Sequence, residues 1–165
     1  MPILDDVLRK APKYWEDALY EDKRYVMFEI HPGDEEYQEV IQLFQGEHIS
    51  SVERVQHPYA YGRFMLRKEQ YQMRHGSCSS ETTEFHPVFA QDVGNACEFN
   101  CDCRRYSRQV DASGCETRKP KFYSRARAAI NSLRSYGGQK AIIVVGKIGT
   151  YSDTEYYPKY AVYLN

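Results

Sequence analysis

The run AIIVV (141–145), inside QKAIIVVGKIGTY (139–151), constrains the fold of this chain more than any other feature. Four of its five residues are β-branched, and no polar residue interrupts the run. That pattern predicts a strand buried on both faces. Other segments read as its neighbours. KRYVMFEI (23–30) alternates and is stopped by HPG (31–33), ISSVERVQ (49–56) is ended by His57-Pro58, and PKYAVYLN (158–165) closes the chain. EFHPVFA (84–90) reads as a strand running into a short helix, QDVGNACEF (91–99).

Helices are predicted between these strands. DEEYQEVIQLF (34–44) sets Tyr37, Val40, Ile41 and Phe44 on one face, with Asp34 as N-cap and acids in the first turn. AYGRFMLRKEQYQMR (60–74) is a second amphipathic helix with a basic end, and HGSCSSETT (75–83) reads as a loop. FYSRARAAINSLRSY (122–136) is a strand end followed by a helix that Gly137-Gly138 closes. Residues 100–121 are irregular and polar. Strands and helices mix without βαβ alternation, so the class is α+β.

At 165 residues the chain is expected to form one domain, 1–165. No stretch reaches the ~18 apolar residues of a membrane span, and MPILDDVLRK is not a signal peptide. An odd count of five cysteines fits a reducing compartment, so a cytoplasmic or nuclear location is expected. The net charge of −1 hides a polarity. Residues 1–50 carry 12 Asp/Glu against 5 Lys/Arg, whereas 104–134 carry 9 Lys/Arg against 2 acids. The basic half contains Arg104, Arg105, Arg108, Lys119, Lys121, Arg125 and Arg127, with Tyr106, Phe122 and Tyr123 interleaved. That suits either a solvated face or stacking on single-stranded nucleic acid.

CEFNCDC together with Cys115 gives C-x3-C-x-C-x11-C in a polar loop. Cys97, Cys101, Cys103 and Cys115 would hold a structural zinc as four thiolates at about 2.3 Å, or they are free thiols.

The order of segments resembles the catalytic domain of the poly(ADP-ribose) polymerase (PARP) family, specifically its mono-ADP-ribosylating, zinc-finger-associated branch. The match runs over nearly the whole chain. DEEYQEVIQLF and ISSVERVQHPYAYGRFMLRKEQYQMR resemble that branch's opening region, and EFHPVF stands where the family has L-F-H-G-T. FYSRARAA stands where the family has G-x-Y-F-A-x-x-A, IIVVGKIGTY resembles the V-x-V-L-T-G-x-Y strand, and YYPKYAVYLN resembles the closing Y-P-E-Y-L-I strand. The resemblance implies an ADP-ribosyltransferase-like fold of mixed, mainly antiparallel sheets with flanking helices.

It also implies an NAD cleft. His86 takes the place of the His that holds the ribose, and Tyr123 that of the Tyr under the nicotinamide. Pro87 stands where a Gly presents its backbone to the nicotinamide amide, and a one-residue shift brings Ser132 to the place of the nicotinamide Ser. Several parts of that site are altered. Proline has no N–H to offer, Val88 replaces Thr, and the strand bearing the third catalytic position is missing between GTY (149–151) and SDTEYYPKY. The expectation is a degenerate pseudoenzyme without a cofactor, working through a protein partner or self-association. The alternatives are an active NAD-dependent mono-ADP-ribosyltransferase using His86 and Tyr123, and a nucleic-acid-binding domain using the basic 104–127 stretch.

Overall fold

The computed structural model describes residues 2–20, 22–76, 80–110, 119–149 and 152–165. Five strands form one antiparallel sheet: β1 (Val26–Glu29), β2 (Ile49–Gln56), β3 (Thr82–Phe89), β4 (Lys140–Lys147) and β5 (Tyr156–Leu164). The order is β1-β2-β5-β4-β3, with each neighbouring pair antiparallel. The apolar run predicted to be doubly buried is the core of β4, and Ala141 to Val145 are all 1% exposed or less.

Ile142 and Val144 point to one face, and Ala141, Ile143 and Val145 to the other. The first face is covered by α2 (Glu35–Gln42), through Val40, and by the residues that follow it, through Phe44. Helix α5 (Ala126–Asn131) completes that layer with Ala126, Ala129 and Ile130, extended by Leu133. The second face is covered by α4 (Val93–Glu98), through Val93, Ala96 and Cys97, and by the loop beyond it. Burial of this kind is worth about 25 cal/mol per Å² of apolar area, so a central strand with two covered faces anchors the domain.

Helix α3 (Pro58–His75) packs Phe64 against Tyr157 at the start of β5. The first helix, α1 (Pro2–Arg9), lies against α3, so close at Gly62 that a Cβ there would sit 3.0 Å from Val7. Its eight residues carry no element signal in the sequence.

Several boundaries differ from those predicted, for local reasons. Helix α3 begins at Pro58 instead of 60, because the His57 ring accepts the Ala60 N–H at 3.1 Å and a proline suits the first turn. It ends at Gly76, whose φ of 70° makes the left-handed cap. Asp34 occupies the N-cap of α2, but its side chain makes no capping hydrogen bond. Strand β3 starts at Thr82, inside the expected loop, since Thr82 and Thr83 pair with Lys147 and Gly146. The helix predicted to reach 136 is regular only to Asn131, and Leu133 and Tyr136 close single turns after it.

Candidate functional site

Strand β3 carries the residues on which the sequence reading centred. Phe85 exchanges both backbone hydrogen bonds with Tyr123, each at 2.8 Å, on the side of β3 away from β4. Backbone directions alternate along a strand. His86 therefore turns its backbone towards β4, and Pro87, like Phe85, turns outward. Continuing that pairing by two residues sets Pro87 opposite Lys121, whose carbonyl would accept from residue 87. Proline has no N–H to give. The Lys121 carbonyl is met instead by the His86 ring, with Nδ1 at 2.8 Å.

That contact fixes the tautomer of His86. A carbonyl can only accept, so Nδ1 carries the proton and Nε2 is the acceptor. Nε2 lies 2.8 Å from the Tyr106 hydroxyl, which donates to it. Cys101 belongs to the apolar cluster against which Tyr106 packs. His86 is 4% exposed, beside the rings of Tyr106 and Phe122. Burial lowers its pKa to about 4, despite the opposing pull of the Lys121 carbonyl. Burial also raises the Tyr106 hydroxyl well above its ordinary range. The ring is neutral at physiological pH, and both its nitrogens are engaged.

Directly opposed residues of an antiparallel pair share a face. Tyr123 therefore lies on the side of Phe85, and it packs against the cluster containing Phe44 and Phe85. His86 points to the opposite face, with Tyr106 and Phe122. Ser132 caps the end of α5, in the layer on the Tyr123 side, and its hydroxyl donates to the Ala129 carbonyl at 2.6 Å. The structure thus sets His86 on the face opposite Tyr123 and Ser132, while Pro87, the next residue of β3, shares the face of Phe85 and Tyr123.

Cys97 and Cys101 are fully buried under the second face, and Cys103 is half-buried. Burial pushes both buried thiols far above the usual range, which opposes the thiolate form a metal needs. Among the described residues, no group of three or more His, Cys, Asp or Glu is placed to hold a metal. Cys115 and Cys78 lie outside the described residues.

Of the named basic residues all but Arg108 are exposed, and several make local contacts. Arg104 grips Asp102 through two bonds of 2.8 Å, and Arg105 lies over the Phe99 ring. Arg108 donates to the Gly137 carbonyl and lies 3.8 Å over the Phe89 ring. Arg127 pairs with Glu47 at 3.4 Å. Lys119 and Arg125 are exposed.

Three polar centres went unseen in the sequence. Asp92, 1% exposed, accepts from the Ser107 N–H, the Ser107 hydroxyl and the Arg108 N–H, pinning the loop that carries Tyr106. Arg54 forms a two-bond pair with Glu36 at 2.7 and 2.9 Å, joined by Gln56 and Tyr160. Glu155, fully buried, accepts from Tyr71 and from the Ser152 N–H. An arginine inside the strand pattern of ISSVERVQ was the one available signal for the second.

A different surface is open. Helices α1 and α3 enclose a groove of about 470 Å³ lined by Ile3, Leu4, Val7, Met65 and Leu66, with Arg63 and Glu69 at its margins. Ile3 is 81% exposed and Leu66 69%. No described helix is long and apolar enough to cross a membrane. Comparison with protein-family models and with curated proteins finds no match.

Proposed function

We propose that this chain is a degenerate, ADP-ribosyltransferase-like domain that does not turn over NAD and works through protein contacts. The observation that carries the reading is the state of His86. A ribose-holding imidazole must present a nitrogen to a ligand hydroxyl, and here Nδ1 is spent on Lys121 and Nε2 on Tyr106. Freeing either nitrogen costs a buried hydrogen bond, about 1–3 kcal/mol. The outward backbone position after the histidine, which in the family meets the nicotinamide amide, holds Pro87 and has no donor. Tyr123 faces the opposite side of the sheet and cannot join His86 around one ligand.

Kinship with the family is supported by the order of its segments. The FHP strand lies directly against both the Tyr123 segment and the AIIVV strand, and the closing YYPKYAVYL strand adjoins the latter. The exposed apolar groove between α1 and α3 supports the contact role, since contiguous apolar surface marks interaction sites.

Titration calorimetry with NAD tests the first half of the proposal, with Tyr106→Phe as the companion protein because it releases Nε2. Wild type should give no heat of binding up to millimolar NAD and no transfer of label from labelled NAD. Micromolar binding by wild type, or label incorporated into the protein, would overturn it.

A further inference from the structure

A second cleft lies where residues 22–24 meet the start of α3, and its volume of about 530 Å³ suits a small ligand. Its floor is His57, 2% exposed. Nδ1 of that ring accepts the Ala60 N–H, so Nε2 carries the proton and donates to the Glu98 carbonyl at 3.1 Å. Both nitrogens are spent, and burial lowers the pKa of the ring, so the floor is fixed in place and neutral. Tyr25 stacks on the same ring at 6.0 Å and donates to the Gly94 carbonyl at 3.2 Å. Tyr20 is buried and accepts from the Gln56 amide at 3.0 Å. The chain on both sides of residues 22–24 is therefore pinned to the core.

Three cations line this cleft, Lys23 and Arg24 from that segment and Arg63 from α3, and all three are exposed. The charges of Arg63 and Arg24 both act on the His57 ring, so the two guanidinium groups approach one place. Arg24 also lies over the Phe99 ring, but among the described residues none of the three forms an ion pair. Like charges gathered without a counter-ion repel, and a bound anion relieves that repulsion. The positive end of the α3 dipole adds to the same sign.

The remaining lining narrows the kind of anion. Asp22 and Glu98 also face the cleft, and three cations against two carboxylates leave a balance of one positive charge. That balance does not favour a long polyanion. It fits a compact dianion joined to a group with hydroxyls, from which carboxylates accept. The Tyr59 ring, 45% exposed, supplies an apolar wall for such a group.

We propose that this cleft binds a phosphate monoester of a hydroxylated small molecule, of the class of the nucleoside monophosphates. The phosphate sits between Arg24 and Arg63 with Lys23 beside it, and the organic part lies on Tyr59. Arginine suits this role because its planar fork meets phosphate oxygens in pairs. None of these residues belongs to the surroundings of His86, so the inference stands apart from the reading of NAD.

Calorimetric titration of the whole chain with AMP, inorganic phosphate and NAD tests it. AMP should bind one-to-one with a sub-millimolar Kd, and inorganic phosphate more weakly. NAD should give no heat, since each of its phosphates carries a single charge and neither is a monoester. Arg24→Ala and Arg63→Ala should each weaken AMP at least about tenfold, the loss of one charge-assisted hydrogen bond. Tyr59→Ala should bring AMP down to the level of inorganic phosphate. Arg127→Ala, which removes a cation paired with Glu47 on the other face of the sheet, should change nothing. All four substitutions are at exposed positions and should leave the circular dichroism spectrum unchanged. No heat from AMP at millimolar concentration, binding indifferent to both cleft arginines, an equal loss in Arg127→Ala, or inorganic phosphate binding as tightly as AMP would each overturn the proposal.

Discussion

His86 links the folding stability of this domain to pH in a way that can be isolated. Its folded pKa is about 4, against 6.5 for a free ring, because the proton would have to enter a buried site. A group whose pKa is lowered by folding stabilises the fold fully above its unfolded pKa. It loses that contribution as pH falls towards the folded value. The window is therefore pH 6.5 down to about 4. Across the whole window, at about 1.4 kcal/mol per pH unit, the loss is roughly 3 kcal/mol, and by about pH 5 it is roughly 2 kcal/mol. His57 is lowered in the same direction by burial, and carboxylates titrate nearby, so wild type alone cannot assign the effect. The variant His86→Gln supplies the control. Its amide N–H can meet the Lys121 carbonyl and its oxygen can accept from Tyr106, but it takes up no proton. Urea unfolding of both proteins near neutrality and near pH 5 should give a difference of differences of about 2 kcal/mol, with wild type losing more. Parallel losses in the two proteins, or a His86 ring that titrates near 6.5 by NMR, would refute the reasoning.

Three further outcomes are expected. Tyr106→Phe should lower stability by about 1–3 kcal/mol in urea unfolding, since it strips a buried ring nitrogen of its donor. Glu36→Ala should cost about 3–5 kcal/mol, as it strands Arg54, whereas removing Glu16, whose side chain is 61% exposed at the rim of the same network, should cost under about 1 kcal/mol. Gly146→Ala should destabilise by about 1–3 kcal/mol in thermal melts, because its Cβ would lie 2.7 Å from the Tyr157 ring and 2.3 Å from Glu81, while Gly137→Ala meets open space and should be nearly neutral.

Much of the sheet was legible because its signals are local. β-branched content, alternation and turn residues marked all five strands, and the limits of ISSVERVQ coincide with those of β2. The class α+β follows from that reading, whereas a mainly antiparallel sheet was expected only from the resemblance. The strand order and the separation of His86 from Tyr123 are not local properties. They depend on register, and a one-residue offset moves a side chain to the other face. Spacing alone could not reveal that Phe122, not Tyr123, shares a face with His86. The same limit hid Asp92, whose partners lie 15 and 16 residues away, and Tyr106, read from sequence as a base-stacking ring and found as a hydrogen-bond donor in the core. Segment α1 escaped notice because eight residues give barely two turns of periodicity.

Pro87 has a consequence at a larger scale than its own neighbourhood. Every open sheet has two margins where a foreign strand could attach and where growth without limit could begin. At one margin β1 offers only four residues, and His31, Pro32 and Gly33 follow almost at once. At the other, the outward backbone of β3 is occupied by Tyr123 at Phe85 and has no donor at Pro87. Neither margin presents an unbroken ladder to a neighbour. A chain with both ends of its sheet blunted in this way is poorly suited to polymerise strand upon strand, and any assembly it builds must grow from its helices and stop where their faces are satisfied.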